Sequence, residues 1–344
     1  MKRTSIFIIT SILIVFCAYV AVGLLVPLPT GNKSIEVEIP EGTTFKQVLD
    51  IFSHEGLIRD KNILLFLGRI SGVDRRIRAG YYSIKGPVSP FDVFEMLREG
   101  RIIEYEITIL EGDSLLEIGE KLLQKGIISR EDFKELSSDK DFLCKHDIDA
   151  PTFEGYLFPD TYKIPKGMDA KEVIGMMINR MRKKFTPDLC ERASEIGLSE
   201  REVLTLASII EKESITDQER FLISAVFHNR LKKGIPLQAD PTAIYGIKSS
   251  KEGVTATDLQ RKTKYNTYFI KGLPPGPIAS PGIKSIKAAL YPADVPYLYF
   301  VSNNDGTHQF SVTEEEHMAA VKSYREKKSR EQKAQDEAEK DEKS

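Results

Sequence analysis

The sequence predicts an α+β protein in which a single N-terminal transmembrane helix precedes small β/α units and a mixed α/β domain with a helical block and a short β-hairpin region. Three observations support this fold class: an uncharged apolar run near the N-terminus, an internal repeat of strand, turn and helix, and a series of amphipathic helices with capping residues. Beyond the apolar run, the chain is long enough for two or three domains with their own cores.

Residues 5–27 are predicted to anchor the chain in a membrane. Lys2 and Arg3 precede an uncharged run that covers residues 4–32. The apolar part of this run, residues 6–27, would span about 30 Å as a helix, which is the thickness of the hydrocarbon core of a bilayer. This length predicts one complete crossing.

Positive charge on the short N-terminal side predicts that residues 1–4 are cytoplasmic and that the chain from Lys33 onward lies outside the cytoplasmic membrane. The main alternative is a cleaved signal peptide, although its apolar core would normally be shorter and residues 21–23 form only a weak cleavage site. A lipoprotein is disfavoured because the bulky Phe16 directly precedes Cys17. We therefore expect an uncleaved, single-pass anchor in the cell membrane.

The composition argues against several function classes. A net charge of −2 without a dense basic cluster predicts no nucleic-acid partner. The five histidines are scattered, and neither an H-E-x-x-H nor a C-x-x-C pattern occurs, so we predict no metal site and no cofactor. Among the three cysteines, Cys144 and Cys190 could pair in an oxidising compartment, but nothing requires it. Residues 325–344 carry almost no apolar side chains and are predicted to form a charged, solvated tail.

An internal repeat organises the first half of the chain. Residues 35–47 and 105–117 align, with the same alternating strand, the same Glu-Gly turn and the same type of capping box. In each copy a glycine that ends the helix precedes an apolar pair. The repeat therefore predicts a first β/α unit at residues 33–104 and a second at residues 105–150.

The second copy resembles the start of a LysM module, a small β/α unit that binds glycans containing N-acetylglucosamine. The resemblance lies in residues 109–118, which read Ile-Leu-Glu-Gly-Asp-Ser-Leu-Leu-Glu-Ile. The alternative is that both units serve only as core and spacer, since no second helix and strand of a full module is evident. The sequence leaves both interpretations open.

Residues 151–324 are predicted to form the largest domain. Capping residues and apolar periodicity predict helices near residues 169–184, 188–196, 200–214 and 217–233. Loops rich in proline and glycine follow, which restrict the backbone and can hold polar side chains around a cleft. A pair of strands closes the domain, on either side of a turn at residues 303–306.

Two glutamates lie in the last turn of the predicted helix at residues 200–214. Ser199 and Glu202 form an S-x-x-E capping box that starts this helix. Thr216 and Glu219 form a T-x-x-E box that predicts the start of the next helix. The first helix should therefore stop directly after both glutamates.

These glutamates, Glu211 and Glu213, lie at opposite margins of a broad apolar face, with Lys212 on the other side of the helix. Apolar neighbours and the negative end of a helix dipole both raise the pKa of a carboxyl group, which suits a general acid near neutral pH. The alternative is a helix end with solvated charges, and the spacing alone does not choose between the two.

Six segments carry a family resemblance, in this order behind one N-terminal span: EGYLFPDTY, LASIIEKES, VFHNRL, LQADPTAIYG, YNTYFIKGLPPGPIASPG and YPADVPYLYFVSNNDGTHQF. Together they resemble the endolytic murein transglycosylase family, also called YceG-like, over nearly the whole chain. The resemblance implies cleavage of the bond between N-acetylmuramic acid and N-acetylglucosamine inside peptidoglycan glycan strands. It also implies that Glu213, the second carboxylate of IIEKES, is catalytic and forms with Ser214 the Glu-Ser pair of lytic transglycosylases.

A single positioned acid is enough for this reaction. Ordinary glycosidases place a pair of carboxyl groups around the bond, whereas in a lytic transglycosylase the muramic acid 6-hydroxyl attacks its own anomeric carbon and forms a 1,6-anhydro end. One glutamate can protonate the leaving oxygen and then accept the hydroxyl proton. We assign both steps to Glu213 and keep Glu211 as the reserve candidate.

Polar and aromatic side chains on two loops are candidates for glycan binding. They have the donors, acceptors and ring faces that hold sugar hydroxyls, N-acetyl groups and pyranose rings. These residues are Gln238, Asp240, Tyr265, Asn266 and Tyr268. The family resemblance is their main support, because each residue type alone is more often structural. By contrast, Glu154 and Asp160 are predicted to cap or brace the FPDTY turn. His308 could reach the same cleft, but the sequence favours a structural role for it.

Two other functions remain open. A hydrolytic muramidase would use a second carboxylate, with Asp240 as the obvious choice, and would yield reducing ends. A non-catalytic, membrane-anchored scaffold would bind glycan through the repeats, although the acid and the rigid loops argue against it. The family resemblance further implies action on growing strands, with peptidoglycan synthases at the membrane as candidate partners.

Overall fold

The computed structural model describes residues 2–29, 34–248, 252–303 and 305–327. Contacts within the chain define two compact units. The first holds Met1–Glu106 and Lys163–Met168, and the second holds Ile107–Tyr162 and Asp169–Ser344. The chain crosses from one unit to the other three times, and two of these crossings lie within paired strands, β3 and β4. These strands are Glu104–Thr108 and Thr161–Pro165.

The first unit contains a long apolar helix and a two-stranded antiparallel sheet with helices packed around it. Its elements are α1 (Lys2–Leu25), β1 (Ser34–Ile39), α2 (Phe45–His54), α3 (Lys61–Ser71), a short 3-10 turn (Val73–Arg75), β2 (Gly80–Lys85) and α4 (Pro90–Glu99). β1 pairs with β2 from Ser34 opposite Lys85 to Ile39 opposite Gly80. A second helix and a second strand thus follow α2, which the sequence pattern did not reveal.

The predicted capping boxes of the repeat are confirmed in both copies. Thr44 accepts from the backbone of Gln47 at the start of α2, and the Gln47 side chain accepts in return from the Thr44 backbone. Ser114 and Glu117 make the same reciprocal pair at the start of the corresponding helix of the second unit. Each box satisfies two backbone donors that a helix start would otherwise leave without partners.

Helix α1 is long and apolar enough to cross a membrane. The stretch Arg3–Leu25 has a mean hydropathy of 2.7 over its most apolar part, and none of that part is buried inside the protein. A leader sequence of this length and composition would look the same.

The second unit consists mainly of helices, with one hairpin near its end. Its helices are α5 (Leu115–Gln124), α6 (Arg130–Ser137), α7 (Lys140–Lys145), α8 (Ala170–Lys184), α9 (Pro187–Glu195), α10 (Glu200–Glu213), α11 (Arg220–Lys233), α12 (Asp240–Ile244), α13 (Ala256–Leu259) and α14 (Ile283–Leu290). The hairpin strands are β5 (Tyr299–Ser302) and β6 (His308–Ser311). Three of the four predicted helices, α8, α9 and α10, lie within one residue of their predicted bounds.

Helix α10 is the central helix of the second unit. The sequence predicts one apolar face, but every residue from Val203 to Ile210 is buried. Two of these are polar, and both hydroxyls bond to backbone carbonyls: Thr205 donates to Arg201 at 2.6 Å and Ser208 donates to Thr205 at 2.8 Å. Because the hydroxyls are satisfied within the helix, α10 can be surrounded on all sides.

The predicted capping box of Thr216 and Glu219 is wrong. Helix α11 begins at Arg220 rather than at residue 217, and no side chain caps its start. The Glu219 carboxylate instead accepts from the backbone N–H of His308 and from its imidazole Nδ1, both at 2.8 Å. Glu219 therefore bonds to a residue far along the chain instead of to the start of its own helix. This contact gives His308 the structural role that the sequence favours.

The predicted hairpin is confirmed, with β5 and β6 paired antiparallel from Tyr299 opposite Ser311 to Ser302 opposite His308. The predicted tail begins at residue 325, and its first residues, 325–327, continue a helix that starts at residue 314, in line with the frayed helix that the sequence allows for this segment. The remainder of the predicted tail, residues 328–344, lies outside the described residues.

Candidate active site

Glu213 is the last residue of α10, and Ser214 already has an extended backbone. The residue is partly accessible, while its carboxyl group is surrounded by protein. Burial and the negative charge of Asp240 raise the pKa of Glu213 to about 8. A hydrogen bond from the backbone of Asp240 acts in the opposite direction, but its effect is smaller. At neutral pH this carboxyl group is therefore mostly protonated, as a proton donor must be.

Asp240 faces Glu213 from the start of α12. Its backbone N–H donates to the Glu213 carboxylate, and its own carboxylate accepts from the Tyr268 hydroxyl at 2.5 Å. Burial and this hydrogen bond raise the pKa of Tyr268 above its usual value, so the phenol remains a donor. Glu213, Asp240 and Tyr268 thus form one cluster.

Gln238 belongs to the same turn and has a strained backbone. Its φ of 52° lies in the left-handed region, which residues other than glycine rarely adopt. The buried Arg230 holds this turn, because its Nη1 donates to the carbonyls of Pro236 and Leu237 and, at 3.0 Å, to the Gln238 side chain. The side chain of Gln238 remains exposed beside Asp240.

Arg230 is a residue of this site that the sequence reasoning missed. It is 6 % exposed and has no carboxylate partner among the described residues. Its Nε donates to the carbonyl of Leu298 at 2.7 Å, and its guanidinium lies 5.1 Å from the ring centre of Tyr299. The segment VFHNRL contains Arg230, so membership in a matching segment was the one signal available.

Glu211 lies two residues before Glu213 in a different environment. Its carboxylate accepts from Arg220 at 2.9 Å and from the backbone N–H of Gly282 at 2.9 Å. Only 5 % of the Glu211 side chain and 7 % of the Arg220 side chain are exposed. Glu111 lies against the same cluster, where burial and the charge of Glu211 raise its pKa. These contacts favour a structural role for the reserve candidate.

Asn266 and Tyr265 do not join the cluster around Glu213. Asn266 is fully buried, and its amide group donates to the carbonyls of Leu259 and Arg261 and accepts from the backbone of Tyr268. This arrangement favours a bracing role for Asn266 beneath the Tyr268 loop. The ring centre of Tyr265 instead lies 4.6 Å from that of Tyr245.

Glu154 forms a second buried acid in the same unit. It is 2 % exposed, accepts from the backbone N–H of Leu115 at 2.9 and 3.0 Å, and accepts from the Tyr245 hydroxyl at 3.1 Å. Burial raises the pKa of Glu154 to about 7. It therefore caps the start of α5, which is a structural role of the kind predicted, although its partner is not the turn that follows it in sequence.

Comparison with known proteins identifies a family and several relatives to which this chain is similar. The model of the YceG-like family matches residues 37–323. A Bacillus subtilis (strain 168) protein named endolytic murein transglycosylase is 29 % identical over 318 residues, which are 88 % of this chain and 88 % of the relative. A protein of the same name from Streptococcus pneumoniae serotype 2 is 28 % identical over 326 residues, which cover 85 % of this chain but only 59 % of that longer relative.

The fold also matches a solved structure. A crystal structure of a YceG-like protein from Listeria monocytogenes is 30 % identical and superposes with a TM-score of 0.58, over 84 % of this chain and 99 % of the other. The predicted mixed α+β class is thereby confirmed. Glu213, Asp240 and Tyr268 all lie within the matched residues. The chain belongs to the YceG-like family.

Proposed function

We propose that this chain is a membrane-anchored lytic transglycosylase that cleaves the MurNAc–GlcNAc bond inside peptidoglycan strands and leaves 1,6-anhydro-MurNAc ends. The names of the relatives support a peptidoglycan substrate. One observation carries the chemistry: Glu213 is a carboxyl group whose pKa is raised to about 8, next to the accessible Asp240. Such a group is protonated at neutral pH and can still accept a proton after donating one.

In the first step, the Glu213 carboxyl group donates its proton to the glycosidic oxygen as the bond between that oxygen and the muramic acid anomeric carbon breaks. GlcNAc leaves with a free 4-hydroxyl group. The muramic acid 6-hydroxyl then forms the new bond to the anomeric carbon, and its proton goes to the Glu213 carboxylate. The acid is thus regenerated without water as a reactant.

Asp240 has two roles in this proposal. Its negative charge helps to keep Glu213 protonated before the reaction. The same charge stabilises the positive charge that develops at the anomeric carbon in the transition state. Tyr268 and the buried Arg230 hold Asp240 and Gln238 in place through the contacts described above, and Gln238 offers an amide group to the sugar.

The second β/α unit, residues 105–150, is proposed to hold the glycan strand next to this site. Support comes from its LysM-like sequence and from the contact of its Glu-Gly turn with the Glu211 side of α10. The backbone N–H of Gly112 donates to Ser280 at 2.8 Å, and Lys212 donates to the Gly112 carbonyl at 3.0 Å. Peptidoglycan synthases remain predicted partners.

We further propose that residues 5–27 remain as an uncleaved anchor with a cytoplasmic N-terminus. The end of α1 is bound by the rest of the first unit: Arg59 donates to the carbonyls of Val22, Val26 and Pro27. A leader sequence that is removed has no need of such contacts. The intact mass of protein extracted from membranes tests this, because cleavage near residue 23 would remove nearly all of α1.

A hydrolytic muramidase is the second candidate, because Asp240 lies close enough to Glu213 to perturb its pKa and is itself accessible. Digestion of purified glycan strands in oxygen-18 water separates the two reactions. The lyase should give new muramic acid ends that are one water lighter than reducing ends and carry no label. Labelled reducing ends would show that water is the acceptor and would require a second carboxylate, for which Asp240 is the candidate.

A further inference from the structure

A cavity of about 500 Å³ lies in the second unit beside Glu213 and Asp240. Helices α5 and α6 line one side, and α12 with the residues that follow it lines the other. Lys212 and Pro241 also belong to the wall, and they are the chain neighbours of Glu213 and Asp240. The volume lies within the range of about 300–1,000 Å³ that is typical of ligand sites. A ligand bound here would lie next to the proposed point of cleavage.

Most of the wall is aliphatic. The apolar side chains that line the cavity include Leu115, Leu116, Leu123, Phe133, Ile244 and Ile278. The wall has no Asn, Gln, Asp or His side chain among the described residues, and its Glu and Arg side chains already have partners within the protein. This composition fits small aliphatic groups better than a sugar ring.

The charges of the wall favour an anion. Each of the three acids among the described residues of the wall has a partner: Glu154 accepts from Leu115 and Tyr245, Glu117 accepts from the backbone N–H and the hydroxyl of Ser114, and Glu120 pairs with Arg130 at 2.6 Å. Lys134 on α6 is exposed at the wall and has no ionic partner among the residues that the structure describes. An exposed, unpaired cation beside aliphatic walls is complementary to a ligand with small apolar groups and a carboxylate.

Building on the proposed function, we propose that this cavity binds the stem peptide carried by the lactyl group of N-acetylmuramic acid. A stem peptide consists mainly of small residues with methyl groups and carries free carboxylates. Its methyl groups would contact the aliphatic wall, and a carboxylate would pair with Lys134. Because the muramic acid must lie at Glu213 during cleavage, its peptide would reach the adjacent cavity. The enzyme should therefore recognise strands that still carry peptides.

The first test compares two substrates for the full-length protein purified in detergent. One is a preparation of glycan strands with uncrosslinked stem peptides, and the other is the same preparation after an amidase has removed the peptides. The unaltered protein should have a higher kcat/KM on the peptide-bearing strands. Lys134→Glu should lower that value by about five- to ten-fold and leave cleavage of peptide-free strands unchanged. Lys134→Arg, which keeps the charge, should retain the preference.

Lys140→Glu is the matched control, since Lys140 is exposed on α7, undergoes the same charge change and does not line the cavity. It should behave like the unaltered protein on both substrates. Equal rates on the two substrates, or equal losses in Lys134→Glu and Lys140→Glu, would overturn the proposal.

A binding measurement separates this proposal from the proposed activity. The peptide L-Ala-γ-D-Glu-L-Lys is titrated into the full-length protein by calorimetry, and Lys134→Glu should weaken its binding by at least about five-fold. If neither strand preparation is cut, the proposed activity fails and this titration alone judges the cavity. Absence of binding, or equal binding by both proteins, would then show that the cavity is not a stem-peptide site.

Discussion

The two sides of the last turn of α10 differ in charge although each carries a glutamate. On one side, Glu211 is paired with Arg220 and with the backbone of Gly282. On the other, Glu213 has no cationic partner among the described residues and lies beside the negative Asp240. The same residue type, two positions apart on one helix, is thus an ion-pair partner in one place and a protonated acid in the other.

The difference shows what turns a glutamate into a candidate acid. Both residues share the helix end, so the helix dipole and the local sequence do not distinguish them. The elements that pack against each side do: α11 brings an arginine to Glu211, whereas the start of α12 brings a carboxylate to Glu213. Three expected effects, on activity, on stability and on pH dependence, test this contrast.

The largest effect is expected on activity. Glu213→Gln keeps the shape of the side chain but removes the titratable proton, so cleavage of glycan strands should fall by at least about 100-fold. Glu211→Gln, assayed under conditions in which it remains folded, should lose much less. The two rates, measured as new chain ends per unit time, would contradict our assignment if their order were reversed.

The second effect is on stability, with the opposite ranking. Glu211→Gln removes the charge that faces the buried Arg220, which keeps only Asp217 as an ionic partner among the described residues, and should lower the free energy of unfolding by about 2 kcal/mol. Glu213→Gln removes a carboxyl group that has no ion pair to lose and should leave stability at neutral pH equal or higher. Denaturant titration of both proteins measures this, and a larger loss in Glu213→Gln would show that Glu213 is the structural member of the pair.

The third effect is on pH dependence. Because the pKa of Glu213 is raised from 4.5 to about 8, the folded protein retains a proton that the unfolded chain releases. The contribution of this group to stability is present below pH 4.5 and is lost as the pH rises to about 8. Activity that needs the protonated acid should fall as the pH rises through about 8.

Asp240→Asn sharpens this third test. Removal of the neighbouring charge should lower the pKa of Glu213, so the alkaline limb of the rate profile should move to lower pH by about one unit. In the lyase, some activity should survive this change. If Asp240→Asn abolished activity as completely as Glu213→Gln, the result would favour the muramidase, in which Asp240 is the second carboxylate.

Local structure was largely predictable from the sequence. The capping boxes at Thr44, Ser114 and Ser199 all form, because both partners of each box lie within one helical turn. The box at Thr216 does not form, because one of its two partners bonds to a distant residue instead. Its Glu219 has a better partner in His308, which offers both a backbone and a ring nitrogen from a distant strand. A local pattern predicts a contact only where no distant group competes for it.

The candidate site was predictable as a set of residues but not as an arrangement. The sequence predicts Gln238, Asp240 and Tyr268 for the same cleft as Glu213, and it ranks Asn266 equally with Tyr268. The structure separates them, because the amide of Asn266 is consumed by backbone groups while the Tyr268 hydroxyl reaches Asp240. Periodicity does not show which polar side chains are already satisfied.

The sequence by itself determined the apolar helix, the repeat, the helices around Glu213 and the family to which these segments belong. Each of these depends on residues close together in the chain or on motifs in a fixed order. Only the tertiary structure gave Glu213 and Glu211 different electrostatic environments, held the Gln238 turn on the buried Arg230 and formed the cavity beside them. The reason is that the charge state of a carboxyl group depends on burial and on neighbouring charges, and here those neighbours come from helices and loops that are distant in sequence.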